Sequence, residues 1–202
     1  MEKTSRLKTF SKGFTLFELL IVLAIFAAIV AFGIPRFRSP QNNIKAVVRQ
    51  MASLSREVRN LARMKRMTYR IALRMGEGDD AYWVENASGS VLVPSEATLE
   101  NIKKMDEKDR PPDAFQKTNK PFKGEKKLPS GLYFGSVETV AMKEPATQGT
   151  AYVYFSPEGL VERSVIQLTD KDKLTWSLVL NPITGHADVL EIGISLKEAN
   201  DE

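Results

Sequence analysis

The chain has no cysteine and a single histidine among its 202 residues. Without cysteine there is no disulfide framework, no thiol nucleophile and no thiolate-ligated metal, although the compartment stays open. A lone His186 cannot make a His-Glu-x-x-His pair, and no Gly-x-Ser-x-Gly elbow or phosphate-cradling glycine loop occurs. His186 falls in the last predicted hairpin and reads as a turn or surface residue. The acidic pairs Asp79-Asp80 and Asp170/Asp172 read as turn residues rather than as oxygen ligands for a hard cation. Phe115 and Phe122 are too sparse for a base-stacking platform. The expectation is therefore no catalytic residue, no metal, no cofactor and no enzymatic activity.

Excess charge is also scarce outside the first residues. The net charge is +4. Lys3, Arg6, Lys8 and Lys12 against Glu2 place +3 of it in residues 1–13, so the sequence pI of 9.2 is weak evidence for a nucleic-acid partner. What the chain does have is an unbroken apolar run, Phe14 to Ile34, whose one charge is Glu18, with Pro35 and Arg36 directly after it. A helix of that length matches a hydrocarbon core of about 30 Å. The basic leader in front predicts leader inside and C-terminal body outside. Span and charge alone leave three readings open: a secretory signal peptide, a plain anchor, or a signal cut before the apolar run. The first fits poorly, because Glu18 interrupts the core and Ala31-Phe32-Gly33 is a weak cut site.

The stretch Lys12-Gly13-Phe14-Thr15-Leu16-Phe17-Glu18, followed by Leu-Leu-Ile-Val-Leu-Ala-Ile, resembles the prepilin-type cleavage and methylation motif of type IV pilins and type II secretion pseudopilins. That resemblance covers residues 12–35. It implies that a prepilin peptidase cuts between Gly13 and Phe14, that Phe14 becomes an N-methylated amino terminus, and that Glu18 is the assembly carboxylate. The physics is compatible. Gly13 lets a protease approach the backbone closely. Glu18 in hydrocarbon is costly unless paired, and pairing with the amine of a neighbouring subunit would fix register more than it adds stability. The plainer alternative is a first-turn carboxylate favoured by the helix dipole and reaching toward headgroups. Gly33 and Pro35 predict a kink at the membrane exit.

Beyond Pro35, Ile44, Val47, Val48, Met51, Leu54, Val58 and Leu61 recur at spacings of three and four. They predict one apolar stripe, with Arg49, Arg56, Arg59, Arg63 and Lys65 off it. Joined to the first segment, this gives a helix from Phe14 to Met67, about 80 Å long. Then the period becomes two. Tyr69, Ile71 and Leu73 alternate with Thr68, Arg70 and Arg74, and further strands are predicted at 81–85, 90–93, 131–142, 151–155, 160–168, 174–180 and 187–192. The turns between them carry Pro157, Gly159 and Gly185 as structural residues.

The predicted fold is α+β. A long N-terminal helix, its lower half transmembrane, packs on a C-terminal antiparallel sheet or β-sandwich head. The expected divisions are leader 1–13, membrane and stalk helix 14–35, amphipathic continuation 36–67 and head 68–202. A basic surface loop over 94–130 interrupts the head.

Arg66 to Leu73, Tyr154-Phe155-Ser156-Pro157-Glu158-Gly159 and Leu178-Val179-Leu180-Asn181-Pro182-Ile183-Thr184-Gly185 resemble the GspH/FimT group of minor pseudopilins and minor pilins. The resemblance implies a subunit held in the bacterial inner membrane with its head in the periplasm, then built into a short pseudopilus that moves folded exoproteins. Its implied partners are the prepilin peptidase, other pseudopilins or pilins, the inner-membrane assembly platform and the lipid bilayer. The alternative is a FimT-like minor pilin of a type IV pilus, with DNA contact in uptake. The lysine-rich stretch Lys103–Lys127 is either a contact for exoprotein or DNA, or a solvated loop of mixed charge.

Overall fold

The computed structural model describes residues 15–33, 40–76, 78–89, 91, 98, 101, 104, 105, 108, 113–172 and 174–200, with side chains left out at 30–33 and 40–42. The chain divides into two compact units, 1–38 and 39–202.

In the first unit α1 (Leu16–Gly33) is apolar around its whole circumference, and Glu18 is its one charged residue. Its 18 residues come to about 27 Å, just under a hydrocarbon core of about 30 Å. Among the described residues no helix is long and apolar enough to cross a membrane. The expected span over 14–35 takes in Phe14 and residues 34–35, which lie outside the described residues, as does the proposed continuity of one helix from Phe14 to Met67.

The second unit begins with α2 (Pro40–Lys65), whose stripe is buried from Ile44 to Val58. Ala62 rather than Leu61 completes it: Ala62 is fully buried, while Leu61 only borders the core. Arg66, in the left-handed region at φ 52°, ends the helix, and the Met67 amide donates back to the Ala62 carbonyl.

Nine strands follow among the described residues. β1 (Thr68–Met75), β2 (Ala81–Ala87), β3 (Gln116–Lys117), β4 (Lys126–Lys127) and β6 (Gly149–Phe155) form one antiparallel sheet, in which β1 lies between β2 and β6. β3 and β4 both pair with the outer edge of β2. β5 (Tyr133–Thr139), β7 (Ser164–Thr169), β8 (Thr175–Leu180) and β9 (Ala187–Leu190) form the second antiparallel sheet, in that order, with a bulge at Gly135. Ile71, Leu73, Tyr82, Val84 and Val153 from the first sheet meet Phe134, Ile166, Leu168, Leu178 and Leu180 from the second in one core, which α2 closes. The α+β class expected from the sequence is the observed one.

Several expectations need correction. Part of the 94–130 loop is sheet: β3 and β4 lie inside it, Phe115 is buried, and Phe122 meets Tyr82 edge-on at 5.9 Å. Two-residue strands carry no periodicity, so no sequence pattern marks them. The strand expected at 90–93 falls mostly outside the described residues, and Val91 is not in a strand. The strand expected at 160–168 starts at Ser164, because Val161 is held by one bridge to Phe155 and Glu162 turns back to the Tyr154 carbonyl.

Candidate functional site

The residues singled out by sequence fall at two places. Gly13, Phe14 and Pro35 lie outside the described residues. Gly33 is the last residue of α1. Thr15 precedes α1 as its cap: its hydroxyl accepts the Glu18 amide at 3.2 Å and its carbonyl accepts the Leu19 amide at 3.2 Å. Thr15 and Glu18 thus hold the spacing of a capping box. Glu18 sits in the first turn, where the positive end of the helix dipole favours a carboxylate. The Thr-x-x-Glu spacing is the sequence signal for Thr15 as a cap.

Leu16 is 78% exposed and Phe17 73% exposed, and every described side chain along α1 is exposed. An apolar helix bare on all sides needs a nonaqueous partner, lipid or other helices. It offers no acid, base or nucleophile besides Glu18, so it supports binding and not chemistry.

In the second unit the turn residues are docking points for α2. Gly159, at φ 88°, lies against the Arg63 stem, and its carbonyl accepts a bond from Arg59 Nε at 2.8 Å. Gly185, at φ 66°, abuts Arg59, and its carbonyl accepts the Ser55 hydroxyl at 2.9 Å. A side chain at either glycine would collide with an arginine stem. Pro157 lies in the same turn as Gly159, half-buried. Arg59, expected off the stripe, is half-buried between the two turns.

Three lysines of the lysine-rich stretch are engaged within the molecule. Lys117 pairs with Glu125, and Lys127 reaches Asp79 at 2.6 Å. Lys126 lies over the Phe122 ring and Lys117 over Trp83, each at 4.5 Å. Lys127, then Arg74, holds the Asp79 carboxyl below its ordinary range, and Lys117 with Arg74 does the same to Glu125. Lys103 lies outside the described residues.

Arg70 is the unforeseen feature of this face. Strand alternation assigns it to the outer side of the sheet, yet it is buried. Its guanidinium lies 4.0 Å from the ring centres of both Phe115 and Tyr152, bonds Glu85 at 2.6 Å and pairs with Asp113. Trp83 Nε1 donates to the other Glu85 oxygen at 2.6 Å. Burial pulls the Arg70 pKa down, but Asp113 and Glu85 outweigh it and the net direction is up.

The acidic pairs sit in turns and hold backbone amides. Asp80 is buried and accepts the amides of Gly76 and Phe134, and Asp170 accepts those of Asp172 and Leu174. Among the described residues no group of three His, Asp or Glu stands where it could hold a metal. His186 is exposed, and its amide donates to the Thr184 hydroxyl at 3.1 Å.

A family profile for the prokaryotic N-terminal methylation motif matches residues 9–34. No curated protein matches the chain. Among solved structures, the crystal structure of the minor pseudopilin EpsH from the type II secretion system of Vibrio cholerae is 14% identical; the match covers 78% of this chain and 99% of that one, with a TM-score of 0.48. A second structure of EpsH from the same system and organism is 13% identical, with 74% and 98% covered and a TM-score of 0.45. At such values the fold rests on the elements described above and not on the likeness. The chain carries the prokaryotic N-terminal methylation motif ahead of an α+β unit.

Proposed function

We propose that this chain is a minor pseudopilin, a structural subunit of the periplasmic pseudopilus of a type II protein secretion system, and not an enzyme. The observation that carries the reading is the run Gly13-Phe14-Thr15-Leu16-Phe17-Glu18, opening a helix that is apolar and bare on every side. On this reading a prepilin peptidase cuts Gly13–Phe14 and methylates Phe14. Residues 14–35 then anchor the subunit in the inner membrane, with the head in the periplasm, until the assembly platform draws it into the filament.

Glu18 is the one acid in that apolar surface. A carboxylate in hydrocarbon costs a few kcal/mol. The terminal amine of a neighbouring protomer offsets that cost at one axial register alone, so the pair selects alignment. The alternative of a DNA contact through Lys103–Lys127 gains no support from Lys117 and Lys127, which pair with acids of the same molecule, or from Lys126, which lies over the Phe122 ring.

The test is Glu18→Ala. Processing at Gly13–Phe14 and the thermal unfolding of the head should match wild type, while recovery in sheared filaments falls. Recovery at the wild-type level would contradict the register role.

A further inference from the structure

The outer face of the second sheet carries two valines that belong to neither core cluster. Ile166 and Leu178 point into the core, so alternation turns their neighbours Val165 and Val179 outward, where they pair across β7 and β8. Yet Val165 is fully buried and Val179 is 9% exposed. The chain after β9 covers them. The Ser177 hydroxyl donates to the Ile192 carbonyl at 2.8 Å and accepts the Ile194 amide at 3.0 Å. Gln167 Nε2 donates to the Ile194 carbonyl at 2.9 Å, and Glu138 Oε2 accepts the Leu196 amide at 2.8 Å. In the ladders Gln167 faces Ser177 and Glu138 faces Val165, so these bonds lead the segment from β9 across β8 and β7 to β5, over the two valines. Ile194 and Leu196 are half-buried there. Ser195 and Glu198 close its far end as a reciprocal capping box, each side chain accepting the other's amide.

Each of these fastenings joins a sheet side chain to the segment's backbone. Among the described residues no main-chain hydrogen bond ties 191–200 to a strand. The sheet therefore holds groups that any extended polypeptide can supply, and choice falls to the side chains at 194, 196 and 199. At 199 the fit is incomplete. Arg163, just ahead of β7, donates through Nη2 to the Ala199 carbonyl. Its Nε, the adjacent donor of the same fork, is buried and meets no acceptor among the described residues. A carbonyl takes one donor of that fork, whereas a carboxylate takes both in a charge-assisted pair. A buried donor left unbonded is costly. A cleft of about 280 Å³, lined in part by Leu196, Lys197, Asn200 and Met142, adjoins this point and has room for a longer side chain than alanine.

We propose that this face is a binding site for an extended segment of a partner polypeptide, with apolar residues two apart and a carboxylate three positions further on, and that residues 192–199 fill it in cis as a releasable strap. The partner's acid takes both donors of the Arg163 fork, of which Ala199 takes one, and its apolar pair replaces Ile194 and Leu196 over the valines. Exchange needs neither cleavage at Gly13 nor α1, so this site and the secretion reading can fail separately.

The probe is a fluorescent peptide copying residues 191–200, made with the native Ala199 and with Ala199→Asp, and titrated by anisotropy against the full chain in detergent. The tethered strap competes at an effective concentration of order millimolar. The native peptide should therefore bind weakly, and the aspartate peptide about tenfold tighter. Leu196→Asp in the chain unseats the strap and should tighten both peptides about tenfold while keeping their ratio. Arg163→Lys keeps the charge without the fork and should erase the difference between the peptides. The unmodified chain gives a second reading that no substitution can confound. The Ile194 and Leu196 amides should exchange with solvent through local opening, well ahead of those of Ile166 and Leu178. Equal affinity for the two peptides, or strap amides that exchange as slowly as the core strands, would overturn the proposal.

Discussion

Arg70 shows how a single residue can depart from its pattern and why. The alternation of β1 turns it outward, as any reading of Tyr69, Ile71 and Leu73 requires, but Phe115 and Tyr152 roof it over and Glu85 and Asp113 supply the countercharge. Asp113 and Phe115 arrive from a segment without periodicity, so the burial was not legible. Removing one partner of a buried pair leaves the other uncompensated. Arg70→Ala should therefore cost about 3–5 kcal/mol in denaturant unfolding, with Arg70→Met closer to wild type when Glu85→Gln accompanies it.

Glu162 gives the opposite case, a carboxyl whose pKa burial pushes up despite bonds from Thr139 and from the amides of Tyr154 and Ala141. A folded-state pKa above the unfolded one means the folded chain binds that proton more tightly. The stabilisation is complete below the ordinary value of about 4.5 and is lost as pH rises through the folded value. Glu162→Gln should thus melt higher than wild type at pH 7, with the difference shrinking toward pH 4. An equal difference at both pH values would contradict this.

At the scale of elements, the stripe on α2 was legible because helical spacing at Ile44, Val47, Val48, Met51, Leu54 and Val58 serves one buried face. The long strands were legible for the same reason at a period of two. Less legible was how turns meet the helix. Gly159 and Gly185 read as turn glycines, and their positive φ agrees with that, but the approach of Arg63 and Arg59 depends on residues about a hundred positions away. Gly185→Ala should cost at least about 1 kcal/mol from backbone conformation alone. Gly159→Ala should cost at least as much, since the Arg63 stem must move there as the Arg59 stem must at Gly185. Combining Gly159→Ala with Arg63→Ala should recover the collision part and leave the conformational part, a non-additivity readable from a double-mutant cycle.

For the whole molecule, two chemistries share one chain. Residues 39–202 bury their apolar groups in their own core, as a water-facing unit must, whereas α1 leaves every described side chain uncovered. That contrast was legible from the run Phe14 to Ile34 and the amphipathic pattern after it. The role proposed for Glu18 and the fate proposed for residues 1–13 are different in kind, since they would involve a neighbouring protomer and a protease. Glu18→Ala tests the second and filament recovery reads it. The first is read most directly from the amino terminus of the protein purified from membranes of cells with their peptidase intact. Terminal sequencing with mass spectrometry should find a chain that begins at an N-methylated Phe14. A mature chain beginning at Met1, or at a residue beyond Ile34, would contradict the account.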